Sequence, residues 1–307
     1  MKDKLINIVK KFPPAFVIAR FIYRRFYPLF YVKQMFFDPP SVRTKWYSYI
    51  KNTQIRPGRS LFSDRKAEVK EFFKINDFKL LMYYLRYGFP NTLRFKQNLS
   101  KFFDGKTNND RHLKDAYEDA AFHYTLRLML AYTRHNQILP YLDFLVKKSD
   151  KPLTKFHVLD YGCGVSDVGI LLGSLGAKVT IADLADKKFS FAEWRFKRRG
   201  ISVDTVSIKD SSVYPNLGED KYDLILVTEV FEHVRDPLTL LRRLTTALHR
   251  GGFLLDSMAG EFERETGGDH LEEAFEIGNS NEYKHYYTDH YNHLVLDGKF
   301  KCLFQKK

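Results

Sequence analysis

The stretch Val158-Leu159-Asp160-Tyr161-Gly162-Cys163-Gly164 constrains this chain more than any other. It reads as a buried strand running straight into a glycine turn. Asp183 follows at the end of a second strand, Lys178-Val179-Thr180-Ile181-Ala182. Glycines let a backbone approach a ligand closely, and an acid about 20 positions on can hold a ribose diol, so the layout is that of a nucleotide-type cofactor pocket. The chain downstream keeps one rhythm. Val168 to Leu175 is a short apolar helix stopped by Gly176, and Lys187 to Arg199 is a second, closed by Gly200. Ile201 to Ile208 is rich in β-branched residues, and Tyr222 to Val227 is a near-continuous apolar run, as in a strand covered on both faces. Asp236-Pro237 supplies an N-cap and a first-turn proline. Leu238, Leu241, Leu244 and Leu248 then recur at helical spacing, Gly251-Gly252 ends the helix, and Phe253 to Asp256 is the next strand. Strands alternating with helices of this length predict an α/β fold with a parallel sheet and right-handed crossovers.

The details of the glycine turn separate cofactor classes. A dinucleotide fingerprint needs G-x-G-x-x-G, but here Asp167 stands at the third position and the next glycine is Gly169. The pattern is instead D-x-G-x-G, with Asp160 two residues ahead of Gly162. That carboxylate would repel a pyrophosphate but not a sulfonium or an amino-acid ammonium. Over roughly residues 155–256 the chain resembles the class I S-adenosylmethionine-dependent methyltransferases. The resemblance implies a Rossmann-like sheet with helices on both faces, here preceded by an α-helical N-terminal region. It also implies S-adenosyl-L-methionine as cofactor. On that reading Gly162, Cys163 and Gly164 approach the methionine and ribose portions, and Asp160 orients their loop. Asp183, followed by Leu184, binds the ribose hydroxyls. Asp210 and Ser211 lie near the adenine, and Thr228 ends the fourth strand beside the cofactor.

A second constellation follows that strand: Glu229-Val230-Phe231-Glu232-His233. If the chain turns helical there, positions i, i+3 and i+4 share one face, and two carboxylates and an imidazole converge at the ligand-binding edge of the sheet. Such a set suits a divalent metal, magnesium or zinc, that holds and acidifies a hydroxyl. The pattern E-x-x-E-H resembles the metal-dependent O-methyltransferases of ubiquinone biosynthesis. It is also similar to the small-RNA 2′-O-methyltransferases, which add a further histidine. In the metal-free alternative, His233 is a catalytic base and Glu229 and Glu232 are its partners or shape the pocket. Four histidines fall between His270 and His293, and His270 or His290 is expected to enter the site. The segment Leu294 to Phe304 reads as an Asp-Gly hairpin. It is expected to replace or abbreviate the last two strands of the family's sheet.

With 307 residues the chain can hold one α/β domain and an accessory region. Its two cysteines, Cys163 and Cys302, form no disulfide framework, which points to a reducing, cytoplasmic setting. No uncharged apolar run reaches the ~18 residues of a membrane-spanning helix, and no cleavable signal peptide is legible. Charge is very uneven. Of the formal +13, residues 1–59 carry thirteen Lys or Arg against Asp3 and Asp38. Phe, Tyr and Trp crowd the same leader, and Arg20, Arg24 and Arg25 punctuate an apolar run that Pro13, Pro14 and Pro28 keep short. This reads as a helix lying in an anionic membrane interface, at the inner face of the membrane, with arginines snorkelling to headgroups. A packed helical arm is the alternative, and the aliphatic content disfavours a nucleic-acid arm. Residues 60–150 read as helices of an accessory or substrate-lid region, over Glu68–Ile75, Phe78–Tyr87, Thr92–Phe103 and Leu113–Leu139. The methyltransferase domain is then 151–307. The chain is expected to methylate an oxygen on a small or lipid-linked acceptor. The other readings are a non-catalytic binding module that keeps the cofactor fold, and an RNA 2′-O-methyltransferase. The sequence carries no signal for an oligomeric state.

Overall fold

The computed structural model describes residues 47–87 except 57 and 59, 101–103, 110–131, parts of 141–149, 151–257, 270–296 and 300–307, with 32, 33, 36 and 37. Most of the basic leader and of the helix expected at Thr92–Phe103 lie outside the described residues. So does Gly267-Gly268-Asp269. Among the described residues, four helices with full bounds precede the sheet: α1 (Tyr47–Asn52), α2 (Leu61–Phe73), α3 (Asp77–Tyr87) and α4 (Asp110–Ala131). Then come β1 (His157–Tyr161), α5 (Asp167–Ser174), β2 (Lys178–Leu184), α6 (Lys187–Arg198), β3 (Val203–Ile208) and β4 (Tyr222–Val227). A single 3-10 turn, Phe231–His233, leads to α7 (Pro237–Ala247) and β5 (Leu248–Asp256). The chain closes with α8 (Glu272–Gly278), α9 (Asn281–His290), β6 (Tyr291–Leu296) and β7 (Phe300–Lys306).

The seven strands run in the order β3-β2-β1-β4-β5-β7-β6, with β1 to β5 parallel and β7 antiparallel to both its neighbours. From β1 the sheet grows one way through β2 and β3, and from β4 the other way through β5. Right-handed crossovers in opposite directions place α5 and α6 on one face and α7 on the other. The order reverses between β1 and β4, where open α/β sheets bind ligands. The register lines up Tyr161 with Ala182 and Val227, and Val227 with Asp256, so four strands end at one edge. The glycine turn, Asp183, Thr228 and Ser257 therefore all leave the sheet side by side.

The apolar runs fill the interior as their lack of alternation predicts: Val158, Leu159, Leu224, Ile225, Leu226 and Val227 are all buried. Each such side chain contributes about 1.5–3 kcal/mol by leaving water. Local signals set the boundaries. Asp186 caps α6, its Oδ1 accepting from Phe189 N at 2.8 Å, and Asp236 caps α7 through Thr239 N at 2.9 Å.

One expectation is overturned at the C-terminus. The Leu294–Phe304 segment does not replace or abbreviate the final pair of strands; it is that pair. Leu303 pairs with Leu255 of β5 on one side and Leu294 of β6 on the other. Alternation in a short edge hairpin gives register but does not say which neighbour it inserts beside, and packing against β5 decides that.

The accessory helices share the core of the sheet, α2 packing on α4 and α4 on α6. A buried ionic network fastens them. Arg65 of α2 donates through Nε to Met129 O at 2.6 Å and through Nη2 to Leu128 O at 3.0 Å. It thereby ties two carbonyls near the described end of α4 to α2. Its Nη1 also donates to Asp167 Oδ1 at 2.8 Å, in the first turn of α5. Arg195 of α6 binds the same Asp167 at 2.8 Å and, with Arg199, the Glu68 carboxylate of α2 at 3.3 and 2.6 Å. No helix among the described residues is long and apolar enough to cross a membrane.

Candidate active site

The glycine turn is shaped by close approach. Gly162 and Gly164 have φ of 65° and 59°, and a Cβ on Gly162 would stand 2.3 Å from Val230 Cγ2. Only glycine meets both conditions without strain. Ser166 also adopts a left-handed conformation, at φ 51°, as the N-cap of α5. Its Oγ donates to Asp160 Oδ2 at 2.7 Å, so the carboxylate ahead of the motif clamps the far side of the same turn. The turn is also tied to the second strand. Asp183 Oδ2 accepts from Gly164 N at 2.7 Å, and its Oδ1 from Leu184 N at 2.8 Å. A third donor reaches that carboxylate: Lys188 Nζ, 2.8 Å from Oδ2.

Gly162, Gly164, Asp183 and Lys188 line a cavity of about 150 Å³ at the switch point of the sheet. Gly162, Gly164, Asp183, Leu184, Ser211, Glu229 and His233 of the sequence-derived set all border it. Five others, Asp160, Cys163, Asp210, Thr228 and Glu232, do not. Asp210 is exposed and turns back on its own loop, accepting from Ser212 N at 2.9 Å and Ser212 Oγ at 2.7 Å. Those bonds hold its carboxyl below the usual range. The wall expected of Asp210 is formed instead by Ile208, Ser211, Val213 and Tyr214. Cys163 and Thr228 border a separate small space beneath the turn, beside Asp160 and Leu128. The Cys163 thiol is buried there, and burial followed by the Asp183 and Asp160 charges pushes it well above its ordinary value.

The E-x-x-E-H segment is not a helical face. Glu229 has φ 55° and is exposed, its N–H donating to Ser257 Oγ at 2.7 Å, and only Phe231–His233 form a 3-10 turn. A left-handed residue ahead of a one-turn helix breaks the i, i+3 relation on which the expected triad rests. The structure assembles a different set. Leu271 N donates to Glu232 O at 2.9 Å, which brings the start of α8 onto the turn and stands His270 edge-on to His233, ring centroids 5.0 Å apart. Ligand atoms of Glu232, His233 and His270 lie within 4.8 Å of one another. Of the two histidines expected to approach, His290 stays out, stacked on Tyr286 at 3.9 Å on the exposed side of α9.

Glu232 is the most perturbed member. It is 3 % exposed, and no described group donates a hydrogen bond to either side-chain oxygen. His233 Nε2 is 3.7 Å from Oε1, beyond hydrogen-bond reach. Burial pushes the carboxyl up to about 7, with Glu229 and Asp256 adding to the rise and His233 opposing it. A buried, under-coordinated carboxylate between two imidazoles can take up a proton or share a cation.

Several contributors were not legible in the sequence: Ser166, Lys188, Tyr214, and Tyr117 and Tyr124 of α4. The two α4 tyrosines border the cavity opposite the glycine turn, Tyr117 standing edge-on to His233 at 6.4 Å. Their spacing along a long amphipathic helix matches that of core residues, so only the docking of α4 reveals them. Ser166 carried a weak signal, as a cap residue directly ahead of an apolar helix.

Comparison with known proteins agrees with this architecture. The family model of a methyltransferase domain matches residues 130–297, more than half of the chain. The ubiquinone biosynthesis O-methyltransferase of Pelagibacter ubique is 30% identical over 112 residues, which are 36% of this chain and 45% of that protein. The enzyme of the same name from Rhizobium leguminosarum is 33% identical over 107 residues, 35% of this chain and 42% of that protein. The chain thus spans less than half the length of these curated relatives. Among solved structures, magnesium protoporphyrin IX methyltransferase from Synechocystis with bound S-adenosylhomocysteine superposes with a TM-score of 0.43 and 15% identity, over 64% of this chain and 98% of that one. A methyltransferase from Aquifex aeolicus gives a TM-score of 0.40 and 17% identity, over 57% and 92%. With more than half of its length matched by the family model, the chain belongs to the methyltransferase-domain family.

Proposed function

We propose that the chain methylates a hydroxyl on a small or lipid-linked acceptor held at a membrane surface. The observation that carries the oxygen assignment is the Glu232 carboxylate, buried and without a hydrogen-bond donor, grouped with His270 and with His233, which borders the cavity. Methyl transfer from a sulfonium is an in-line displacement, so the protein must align nucleophile and methyl and keep water out. An oxygen nucleophile must in addition lose a proton, which a group with a proton affinity near neutrality accepts best. Asp183 and the glycine turn hold the cofactor's ribose and methionine ends, with Asp160 and Ser166 fixing the turn. Ser211, Ile208, Val213 and Tyr214 take the adenine side. Tyr117 and Tyr124 offer flat apolar walls that suit a ring-bearing acceptor, such as the phenolic precursor of a quinone, the substrate class suggested by the names of the relatives.

The two imidazoles and one carboxylate also fit a divalent metal, zinc better than magnesium by ligand type. Glu232, His233 and His270 would hold it, and a bound metal would supply a positive charge that acidifies the acceptor hydroxyl. Without it, His233 is the base and Glu232 and His270 orient it. His270 also supports a second reading, RNA 2′-O-methylation, because the E-x-x-E-H pattern with a further histidine is the one the small-RNA enzymes resemble.

Methyl-labelled S-adenosylmethionine, offered with a detergent-solubilised membrane lipid extract or with single-stranded RNA, tests these readings. Label in the lipid fraction that is lost in His233→Ala supports the proposal. Label in RNA supports the second reading, and label in neither removes both. Chelator sensitivity restored by zinc or magnesium separates the metal form from the base form. Asp183→Ala should weaken S-adenosylhomocysteine binding in a protein that still folds, and an unchanged affinity by calorimetry would remove the ribose assignment.

A further inference from the structure

Lys188 places a buried cation at the border of the cofactor cavity. It lies in the first turn of α6, where the positive end of the helix dipole disfavours positive charge. Its side chain is only 12 % exposed, and lysine is almost never buried without a specific partner. Burial works against the ammonium, yet the Asp183 and Asp186 carboxylates outweigh it and hold the amine above its ordinary value. Their geometries differ. Asp183 Oδ2 is at 2.8 Å, whereas Asp186 Oδ2 is at 4.0 Å, too far to accept a bond. An ammonium has three donors. One is used on Asp183, and among the described residues no second acceptor is within hydrogen-bond distance. The side chain borders the cofactor cavity, and its ammonium meets the same Asp183 oxygen as Gly164 N of the glycine turn.

Asp183 is correspondingly short of accepting capacity. Its Oδ2 already takes Gly164 N and Lys188 Nζ, and its Oδ1 takes Leu184 N. A ribose diol brings two hydroxyls, each both donor and acceptor. The carboxylate can accept from them, but their oxygens also need a donor, which a carboxylate cannot supply. Lys188 has such donors, at the same end of the cavity.

We propose that Lys188 recognises the cofactor's ribose jointly with Asp183, its ammonium bridging the carboxylate and a ribose hydroxyl oxygen. The inference rests on the reading of Asp183 as the ribose acid and extends it to a two-residue device. A methionine or leucine at this position would fill the space but leave a ribose oxygen facing apolar surface.

Calorimetric titration of the full chain with S-adenosylhomocysteine and with its 2′-deoxy and 3′-deoxy analogues tests this. The proteins are the wild type, Lys188→Met and Asp183→Asn. Wild type should lose affinity for at least one deoxy analogue. Lys188→Met should bind S-adenosylhomocysteine about tenfold more weakly, the scale of one charge-assisted hydrogen bond. It should also discriminate far less between that ligand and the affected analogue. A merely structural role would weaken all three ligands alike. Equal or tighter binding by Lys188→Met, or an undiminished deoxy penalty, overturns the proposal while leaving Asp183 in place. A wild type blind to both hydroxyls, with Asp183→Asn binding normally, overturns the ribose reading and this inference together. If Lys188→Met does not fold, because two carboxylates lose their cation, Lys188→Met combined with Asp186→Asn carries the same titration.

Discussion

Glu68→Gln is the sharpest test of how the accessory helices are joined to the cofactor-binding domain. Glu68 is 1 % exposed and its carboxylate receives Arg195 and Arg199 of α6. Burial opposes ionisation, but Arg195 and then Arg199 outweigh it and hold the carboxyl below its ordinary 4.5. Glutamine keeps the shape and removes the charge, leaving two guanidinium groups close together in the interior. Breaking a buried pair in this way costs about 3–5 kcal/mol, against about 0–1 kcal/mol for an exposed one. In a chain of this size that is a fall in melting temperature on the order of 10 °C. Equilibrium urea unfolding at neutral pH, followed by far-ultraviolet circular dichroism, measures it. Adding Arg199→Met to Glu68→Gln should cost less than Arg199→Met alone, since it removes one of two repelling cations. The pH dependence has a fixed sign. A depressed native carboxyl stabilises fully above 4.5, and that stability is lost as pH falls through its lower native value. Wild type and Glu68→Gln should therefore converge in acid and differ most at neutral and alkaline pH. A cost below about 1 kcal/mol at pH 7.5 would mean that water screens the network and that α2 is held by apolar packing alone.

Other expectations follow from single contacts. Ser166→Ala keeps the left-handed conformation and loses the bond to Asp160, whereas Ser166→Gly loses only the bond; alanine should be less stable than glycine by about 1–2 kcal/mol in thermal unfolding, and equal stabilities would deny the strain. His270→Ala should reduce turnover with little change in S-adenosylhomocysteine affinity, and His290→Ala should change neither; the reverse pattern would exclude the Glu232, His233 and His270 set. The full chain should sediment with anionic liposomes and release at high salt, because about 1 kcal/mol per basic residue near the surface is screened. Retention of binding after deletion of residues 1–37 would place the membrane contact elsewhere.

The sequence by itself determined the sheet and its cofactor edge. Those features rest on local rules: continuous apolar runs in β1 and β4, glycines at Gly162 and Gly164, caps at Asp186 and Asp236. Each acts within a few residues and needs no distant partner. The places of Asp160 and Asp183 near the ends of β1 and β2 follow from the same local rules. Tertiary structure alone decided the rest of the site. E-x-x-E-H suggests a helical triad, but a left-handed Glu229 unwinds it, and a backbone bond from Leu271 substitutes His270 from a segment 37 residues on. Asp210 looks like a ligand until its own turn claims it through Ser212. Tyr117 and Tyr124 become cavity walls through the docking of α4, whose Leu128 and Met129 carbonyls Arg65 ties to Asp167. Lys188 gives no periodic or motif signal at all, because its meaning lies in the carboxylate it meets across a turn. Backbone propensity and burial pattern are encoded along the chain, whereas the partners of buried polar groups depend on which surfaces dock, and docking is a property of the whole fold.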